Sequence, residues 1–189
     1  DVIVDFSDDA IMRRLKKASP DVSAFPCIAG VSFSDAIRLC ERIKSELPAV
    51  KTIIGGSYAT LYPEIFERSV MDFMCVGEGD EAFVELADAL DAGAGFDNIQ
   101  NIWSRGADGN IIKNDLRPLA QDLDSLPMPE RRHHYAHKFL RAQRRKNFLV
   151  GRGCPFNCSY CYVSSMRRIY EGKGTFVRLR SPRHALDEL

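Results

Sequence analysis

Three cysteines stand within eight residues in Cys154-Pro155-Phe156-Asn157-Cys158-Ser159-Tyr160-Cys161. One short loop can therefore bring three thiolates to a single metal centre. In a chain without a secretory leader such a cluster is more often a metal site than a disulfide pair, and the opening Asp1-Val2-Ile3-Val4-Asp5 lacks the basic flank of a leader. Gly151 and Gly153 let the backbone bend around a centre, and Pro155 stiffens the turn. The spacing leaves no fourth cysteine nearby. For an iron-sulfur cube that shortfall is useful, because an iron without a protein ligand stays open to a substrate or cofactor. Two other readings remain: a structural zinc completed by His133, His134 or His137, and three unliganded buried thiols. Cys27, Cys40 and Cys75 lie in apolar strands or on an apolar helix face and read as core packing.

The elements that must position this loop follow from pattern and charge. The 189 residues are 45% hydrophobic and 28% charged, as in an ordinary globular protein. No apolar run approaches the roughly 20 residues that span a bilayer, so the sequence reads as a soluble, cytoplasmic protein with no membrane partner. The 26 basic and 26 acidic side chains cancel overall but are split: residues 1–129 hold 12 and 22, residues 130–189 hold 14 and 4. That asymmetry implies two regions with different work.

The acidic part alternates short apolar runs with helical patterns, the signature of a parallel sheet with crossover helices. Val2-Ile3-Val4, Asp21 to Ile28, Val50 to Ile54 and Val70 to Val76 read as strands. Asp9 to Ala18 reads as a helix with Ile11, Met12, Leu15 and Ala18 on one face. Ser34 is the expected N-cap of a helix that ends before Pro48. Asp80 to Leu90 reads as a helix with Ala82, Phe83, Leu86, Ala87 and Leu90 inward, terminated by Gly93. Asn101 to Arg105 and Asn110 to Asn114 read as a hairpin with Asp108-Gly109 in the turn, and Leu123 to Pro129 as an extended strap whose prolines forbid a ladder. Phe148 to Val150 is the strand expected to deliver the cysteine loop, and Ser181-Pro182 caps a last helix with Ala185, Leu186 and Leu189 on one face. The sequence stops inside that helix, so the second part reads as truncated.

In open parallel sheets ligands bind outside the carboxyl ends of the strands, where Gly55-Gly56-Ser57 and Gly77-Glu78-Gly79 fall. Lys51-Thr-Ile-Ile-Gly-Gly-Ser-Tyr-Ala-Thr60, Met71-Asp-Phe-Met-Cys-Val-Gly-Glu-Gly-Asp80, the proline strap and a CxxxCxxC loop with Tyr160 before its last cysteine follow one another along the chain. Together they resemble a radical S-adenosylmethionine enzyme of the cobalamin-binding subgroup. The resemblance implies a flavodoxin-like (Rossmann-like) α/β domain over 1–96, incomplete at its first strand. It further implies a connector with hairpin and basic segment over 97–146, and the opening of a partial (βα)6 barrel over 147–189. It also implies that Cys154, Cys158 and Cys161 hold a 4Fe-4S cluster, that the open iron chelates S-adenosylmethionine, and that an electron donor reduces the cluster to cleave the sulfonium to a 5′-deoxyadenosyl radical. Tyr160 would lie near the adenine. Gly55, Gly56, Gly77 and Gly79 would admit the nucleotide tail of cobalamin, with Glu78 beside them and Ser57, Tyr58 and Thr60 offering hydroxyls. Glu78 and Asp80 equally suit helix N-terminal capping. No Asp-x-His-x-x-Gly pattern occurs, and Pro26 stands where relatives often have a serine.

The basic run Arg131, Arg132, Lys138, Arg141, Arg144, Arg145 and Lys146, with Tyr135 and Phe139 interleaved, reads first as a solvated interdomain helix and second as a nucleic-acid patch. The expected function is accordingly that of a radical S-adenosylmethionine enzyme performing methyl transfer, cyclisation or rearrangement on a small molecule or peptide, with tRNA as a further substrate class. The alternative is a non-catalytic zinc or nucleic-acid binding module.

Overall fold

In a strand buried on both faces, neighbouring residues serve opposite layers. Ile53 and Ile54, adjacent in β2 (Lys51–Gly55), do so. Ile54 joins Cys27, Cys40, Phe66, Met71 and Met74 in one core, while Ile53 joins Phe73, Cys75, Ala82, Leu86 and Ile102 in the other. The computed structural model describes residues 7–106, 108–136, 138–145 and 147–188, and of His133, His134, Lys138 and Phe139 the backbone alone. The expected strand Val2 to Val4 lies outside the described residues. Among them the chain divides into two units, 7–117 and 118–188.

The first unit is a five-stranded mixed sheet in the order β1-β2-β3-β4-β5. β1 (Val22–Pro26), β2 and β3 (Phe73–Cys75) are parallel, and β4 (Ile102–Arg105) and β5 (Ile111–Lys113) extend the sheet as an antiparallel hairpin. α1 (Asp8–Ala18) is capped by Ser7, whose hydroxyl accepts from the Ala10 N–H at 3.3 Å, and packs through Met12 against Ile43 and Val50. Ala18, expected inward, is exposed, and Ala10 is buried in its stead. α2 (Gly30–Glu46) begins four residues before the expected Ser34 cap, because the chain turns into helix as soon as it leaves the sheet at Cys27. α3 (Ser57–Leu61) and the 3-10 turn Pro63–Arg68 occupy the stretch after Gly55-Gly56. β3 is shorter than the expected Val70 to Val76. α4 (Asp80–Ala92) ends at Gly93 in the left-handed region (φ 61°) as expected, with Ala82 and Leu86 buried but Phe83 turned outward. Arg117 ties the end of the hairpin segment back to α4 through Glu81 and Glu85, both at 2.7 Å.

In the second unit the strap residue Leu123 is buried, and the segment before it runs against 173–178: the Leu119 N–H donates to the Lys173 carbonyl at 2.8 Å, and Arg178 donates to the Ala120 carbonyl at 2.8 Å. The basic run carries helix over α5 (Arg132–Ala136) and α6 (Lys138–Ala142), with His137 between them outside the described residues. The strand before the cysteine loop is β6 (Gly151–Arg152), displaced from the expected Phe148 to Val150, and it pairs antiparallel with β7 (Arg178–Leu179). α7 (Tyr162–Ile169) follows the cysteines, and α8 (Pro182–Asp187) is capped by Ser181 as expected, its hydroxyl accepting from the His184 N–H at 3.1 Å. Glu188 accepts from both Arg131 and Arg180. No helix of the described residues is long and apolar enough to cross a membrane.

One polar knot spans β2, β3 and α2. The Asp72 carboxylate accepts from the Thr52 N–H (2.7 Å), the Thr52 hydroxyl (2.8 Å) and the Lys44 ammonium, while Thr52 is fully buried. Burial pushes the Asp72 carboxyl up, but the donors from Lys44 and Thr52 outweigh it and hold it below its ordinary 3.8. A carboxyl with a lowered folded pKa stabilises above its unfolded pKa, and that stability is lost as pH falls through the folded value. Asp72→Ala is expected to cost about 3 kcal/mol at pH 7, a gap that holds down to the unfolded value and then narrows. Urea unfolding followed by Trp103, the chain's single tryptophan, measures it; a gap that does not change with pH contradicts the assignment.

Candidate functional site

Parallel strands deliver all their carboxyl-end loops to one sheet edge. β1, β2 and β3 therefore bring together Cys27 to Ala29, Gly55 to Ser57 and Val76 to Gly79. Gly56 has φ 107°, and a Cβ there would stand 2.7 Å from the Cys27 carbonyl oxygen. The Tyr58 N–H donates to that same carbonyl at 3.0 Å, and the Cys27 N–H to the Gly55 carbonyl at 2.7 Å. The space beside Gly56 is thus filled by the chain's own backbone, and the glycine is required by a loop-to-loop approach. A Cβ at Gly55 or at Gly79 would likewise stand 3.3 Å from the Cys75 side chain.

Thr60 departs from its expected place as a free hydroxyl. It is buried, donates to the Gly56 carbonyl and accepts from the Gly77 N–H, both at 2.9 Å, which locks the two glycine loops together. Gly77 itself has φ 100°. The Ser57 hydroxyl is within 3.5 Å of the Ile28 carbonyl. Tyr58 stacks between Phe33 and Tyr62, with centroids at 6.3 and 4.9 Å. Ile28, Val31 and Tyr62 are exposed beside it, giving this edge an apolar rim. Gly79, not Glu78 or Asp80, is the N-cap of α4, and Asp80 lies in its first turn.

Pattern reading missed Asn101. It is buried, has φ 71°, donates from Nδ2 to the Glu78 carbonyl and accepts at Oδ1 from the Arg117 N–H, each at 2.7 Å. An asparagine at a strand entry is the residue type that tolerates a left-handed backbone, which is the signal that could have found it. Cys27, Cys40 and Cys75 are buried free thiols, as expected for packing. Burial pushes all three thiols up, Cys75 to about 11.

In the second unit, β6 and α7 bracket the cysteine loop. Gly153 has φ 83°, and a Cβ there would meet the Phe176 carbonyl oxygen at 2.1 Å. Cys161 is the N-cap of α7, which fixes the helix phase so that residues three and six positions on face back to the loop. Ser164 donates to the Cys161 carbonyl at 2.7 Å and lies within 3.3 Å of the Cys158 carbonyl. Arg167 donates to the carbonyls of Cys154 and Phe156. Cys154, Cys158 and Cys161 are free and partly exposed, and Tyr160 is almost fully exposed at 91%.

Among the described residues no three His, Cys, Asp or Glu side chains are gathered at metal-holding distances, the loop cysteines included. The donor set nevertheless suits an iron-sulfur group: three free thiols on one loop whose carbonyls are held from α7, leaving the sulfurs unused by the backbone. His137 and the side chains of His133 and His134, the alternative zinc ligands, lie outside the described residues.

Residues 1–87 match the family described as B12 binding domain. The chain is 26% identical over 193 residues to the anaerobic magnesium-protoporphyrin IX monomethyl ester cyclase of Rubrivivax gelatinosus, covering 98% of this chain and 33% of that protein. It is 30% identical over 168 residues to an uncharacterized methyltransferase of Pyrococcus horikoshii, covering 84% of this chain and 34% of that one. Residues 1–87 are thus similar to a B12 binding domain, and most of the chain is similar to a cyclase and a methyltransferase.

Among solved structures it shares the fold of the cobalamin-dependent S-adenosylmethionine radical enzyme OxsB (TM-score 0.74, 18% identity, 96% of this chain and 24% of that chain). It also shares that of the radical S-adenosylmethionine methyltransferase TsrM from Kitasatospora setae (TM-score 0.65, 16% identity, 97% and 36%). The chain spans about a third of the length of the curated relatives it matches. The match over 1–87 includes β1, β2 and β3 and the loops of the glycine edge at their carboxyl ends.

The edge depends on Gly56. Gly56→Ala adds a clash to the strain of a left-handed backbone, whereas Gly109, at φ 83° with nothing within 4 Å, would meet strain alone. Gly109→Ala is expected to cost about 1 to 2 kcal/mol and Gly56→Ala at least about 2 kcal/mol more. Equal costs in Trp103-monitored unfolding contradict the close approach.

Proposed function

We propose that the chain supplies the cobalamin domain and the cluster-binding loop of a radical S-adenosylmethionine enzyme. The observation that carries this reading is the presence in one chain of a B12 binding domain over 1–87 and a C-x3-C-x2-C loop between β6 and α7. Bound there, a 4Fe-4S cluster with S-adenosylmethionine supplies one-electron cleavage chemistry and cobalamin supplies alkyl-group chemistry.

The chain's residues have the following work. Cys154, Cys158 and Cys161 would hold the cluster through their thiolates, and Ser164 holds the carbonyls of the second and third in place. Tyr160, exposed beside the last ligand, offers an aromatic face to the adenine. At the glycine edge, Ile28, Val31, Tyr58 and Tyr62 present apolar surface to cobalamin, and Ser57 adds a hydroxyl. Thr60 keeps the two glycine loops in register beneath them. The reaction class is methyl transfer, cyclisation or rearrangement, with the cyclase and methyltransferase relatives favouring the first two. An external one-electron donor would be needed as the partner of such a cluster. The substrate class is a small molecule or a peptide, and tRNA is a further class that the basic run around α5 and α6 accommodates.

Anaerobic reconstitution with iron and sulfide is expected to give a brown protein with about four irons per chain, and simultaneous Cys154→Ala, Cys158→Ala and Cys161→Ala to abolish the uptake. Iron uptake unaffected by the triple substitution, or stoichiometric zinc in protein purified without air, contradicts the proposal. For the first unit, titration with hydroxocobalamin followed by visible absorbance is expected to saturate, and Tyr58→Ala to weaken binding by about tenfold, the loss of about 1.4 kcal/mol of aromatic contact. Absence of saturable binding contradicts the assignment of that edge.

A further inference from the structure

We propose that Arg167 sets the reduction potential of the iron-sulfur group carried by Cys154, Cys158 and Cys161. The inference rests on the cluster assignment above and goes beyond it, since it concerns a residue outside the ligand set.

The geometry begins with the phase of α7. With Cys161 as N-cap, positions 164 and 167 return to the loop side one after the other. Ser164 takes the carbonyls of Cys158 and Cys161, and Arg167 takes those of Cys154 and Phe156, the latter at 3.2 Å. The guanidinium also lies over the Phe176 ring, 5.5 Å from its centroid, and Phe176 is the residue whose carbonyl closes on Gly153. Arg167 is thereby fixed against the first half of the cysteine loop by a stack and two hydrogen bonds.

Holding two neutral carbonyls requires donors and no charge. Arginine brings a permanent positive charge as well, and its electrostatic setting differs from that of Arg131, Arg132 and Arg180. Arg131 and Arg180 share the carboxylate of Glu188, and Arg132 pairs with Glu130. Among the described residues no carboxylate pairs with Arg167, and its Nε is buried without a hydrogen-bond partner. A partly desolvated cation with no counter-charge is unfavourable unless an anion faces it. Three thiolates holding an iron-sulfur group are that anion.

The sign follows from charge. One electron taken from a low-potential donor makes the thiolate-bound cluster more negative by one unit, so a fixed cation favours the reduced form and raises the midpoint potential. Arg167 is thus a positioning residue whose charge, in addition to its hydrogen bonds, serves the site.

The test compares the chain with Arg167→Gln, Arg167→Lys and Arg168→Gln, each reconstituted anaerobically with iron and sulfide and titrated with redox mediators under electron paramagnetic resonance. Arg167→Gln is expected to lower the reduced-to-oxidised ratio at fixed potential about tenfold, about 59 mV for one electron, at unchanged iron content. Arg167→Lys keeps the charge and is expected to stay near the wild-type midpoint. Arg168→Gln removes a charge from the same helix at a side chain that bonds Ser165 and not the loop carbonyls, and is expected to leave the midpoint in place. A wild-type midpoint in Arg167→Gln overturns the inference, as does an equal fall in Arg168→Gln. Should Arg167→Gln take up no iron, the lysine variant decides: a retained midpoint supports the role of charge and a lost one overturns it. Iron uptake retained when Cys154, Cys158 and Cys161 are all replaced by alanine would instead overturn the cluster reading itself.

Discussion

The first unit is organised around a single close approach, that of Gly56 to the backbone of Cys27. Parallel pairing of β1 and β2 puts the two strand ends side by side, and the lack of a side chain at Gly56 lets the loops close to hydrogen-bonding distance. Once closed, the edge propagates: α3 starts at once after Gly56, its Thr60 hydroxyl captures Gly77 from the next loop, and Asn101 captures Glu78 from the far side. A surface of three loops from three strands is thereby held as one piece, with the aromatic side chains of Phe33, Tyr58 and Tyr62 above it. The consequence for function is that an extended cofactor would meet a preformed surface at the glycine edge, with little ordering cost left to the binding step.

The cysteine loop is organised differently, from the helix that follows it. Its residues supply few donors of their own to the carbonyls they expose, and a loop of this length with three thiols has many accessible backbone paths. Starting α7 at Cys161 solves this with two side chains, one neutral and one charged. The neutral one would have sufficed for geometry near the second and third cysteines. Under the proposed cluster assignment, the charge on the other acts on what the thiolates carry.

Much of this was legible in the sequence where local chemistry decides structure. Gly93 ends α4, Ser181-Pro182 starts α8, and the hairpin around Gly109 forms, because each rests on capping or turn geometry written in a few adjacent residues. The loop cysteines declare themselves by spacing. What was not legible depends on distant partners. Ser34 has the chemistry of a cap, yet α2 starts at Gly30, where the chain leaves Cys27. Thr60 has a hydroxyl suited to a ligand, yet it is committed to Gly77, seventeen positions away. Phe148 to Val150 is apolar enough for a strand, yet pairing with Arg178 and Leu179 selects Gly151 and Arg152. Asn101 and Arg167 carry no motif, and their roles arise only when Glu78 or Cys154 is brought alongside.

Under the proposed function the three loop cysteines hold a cluster with one iron lacking a protein ligand. Mössbauer spectroscopy of the chain reconstituted with iron-57, before and after addition of S-adenosylmethionine, distinguishes that iron from the rest. About four irons per chain are expected, of which a single site changes its isomer shift and quadrupole splitting when S-adenosylmethionine is added. A spectrum in which all iron sites respond alike, or none responds, would contradict the proposal.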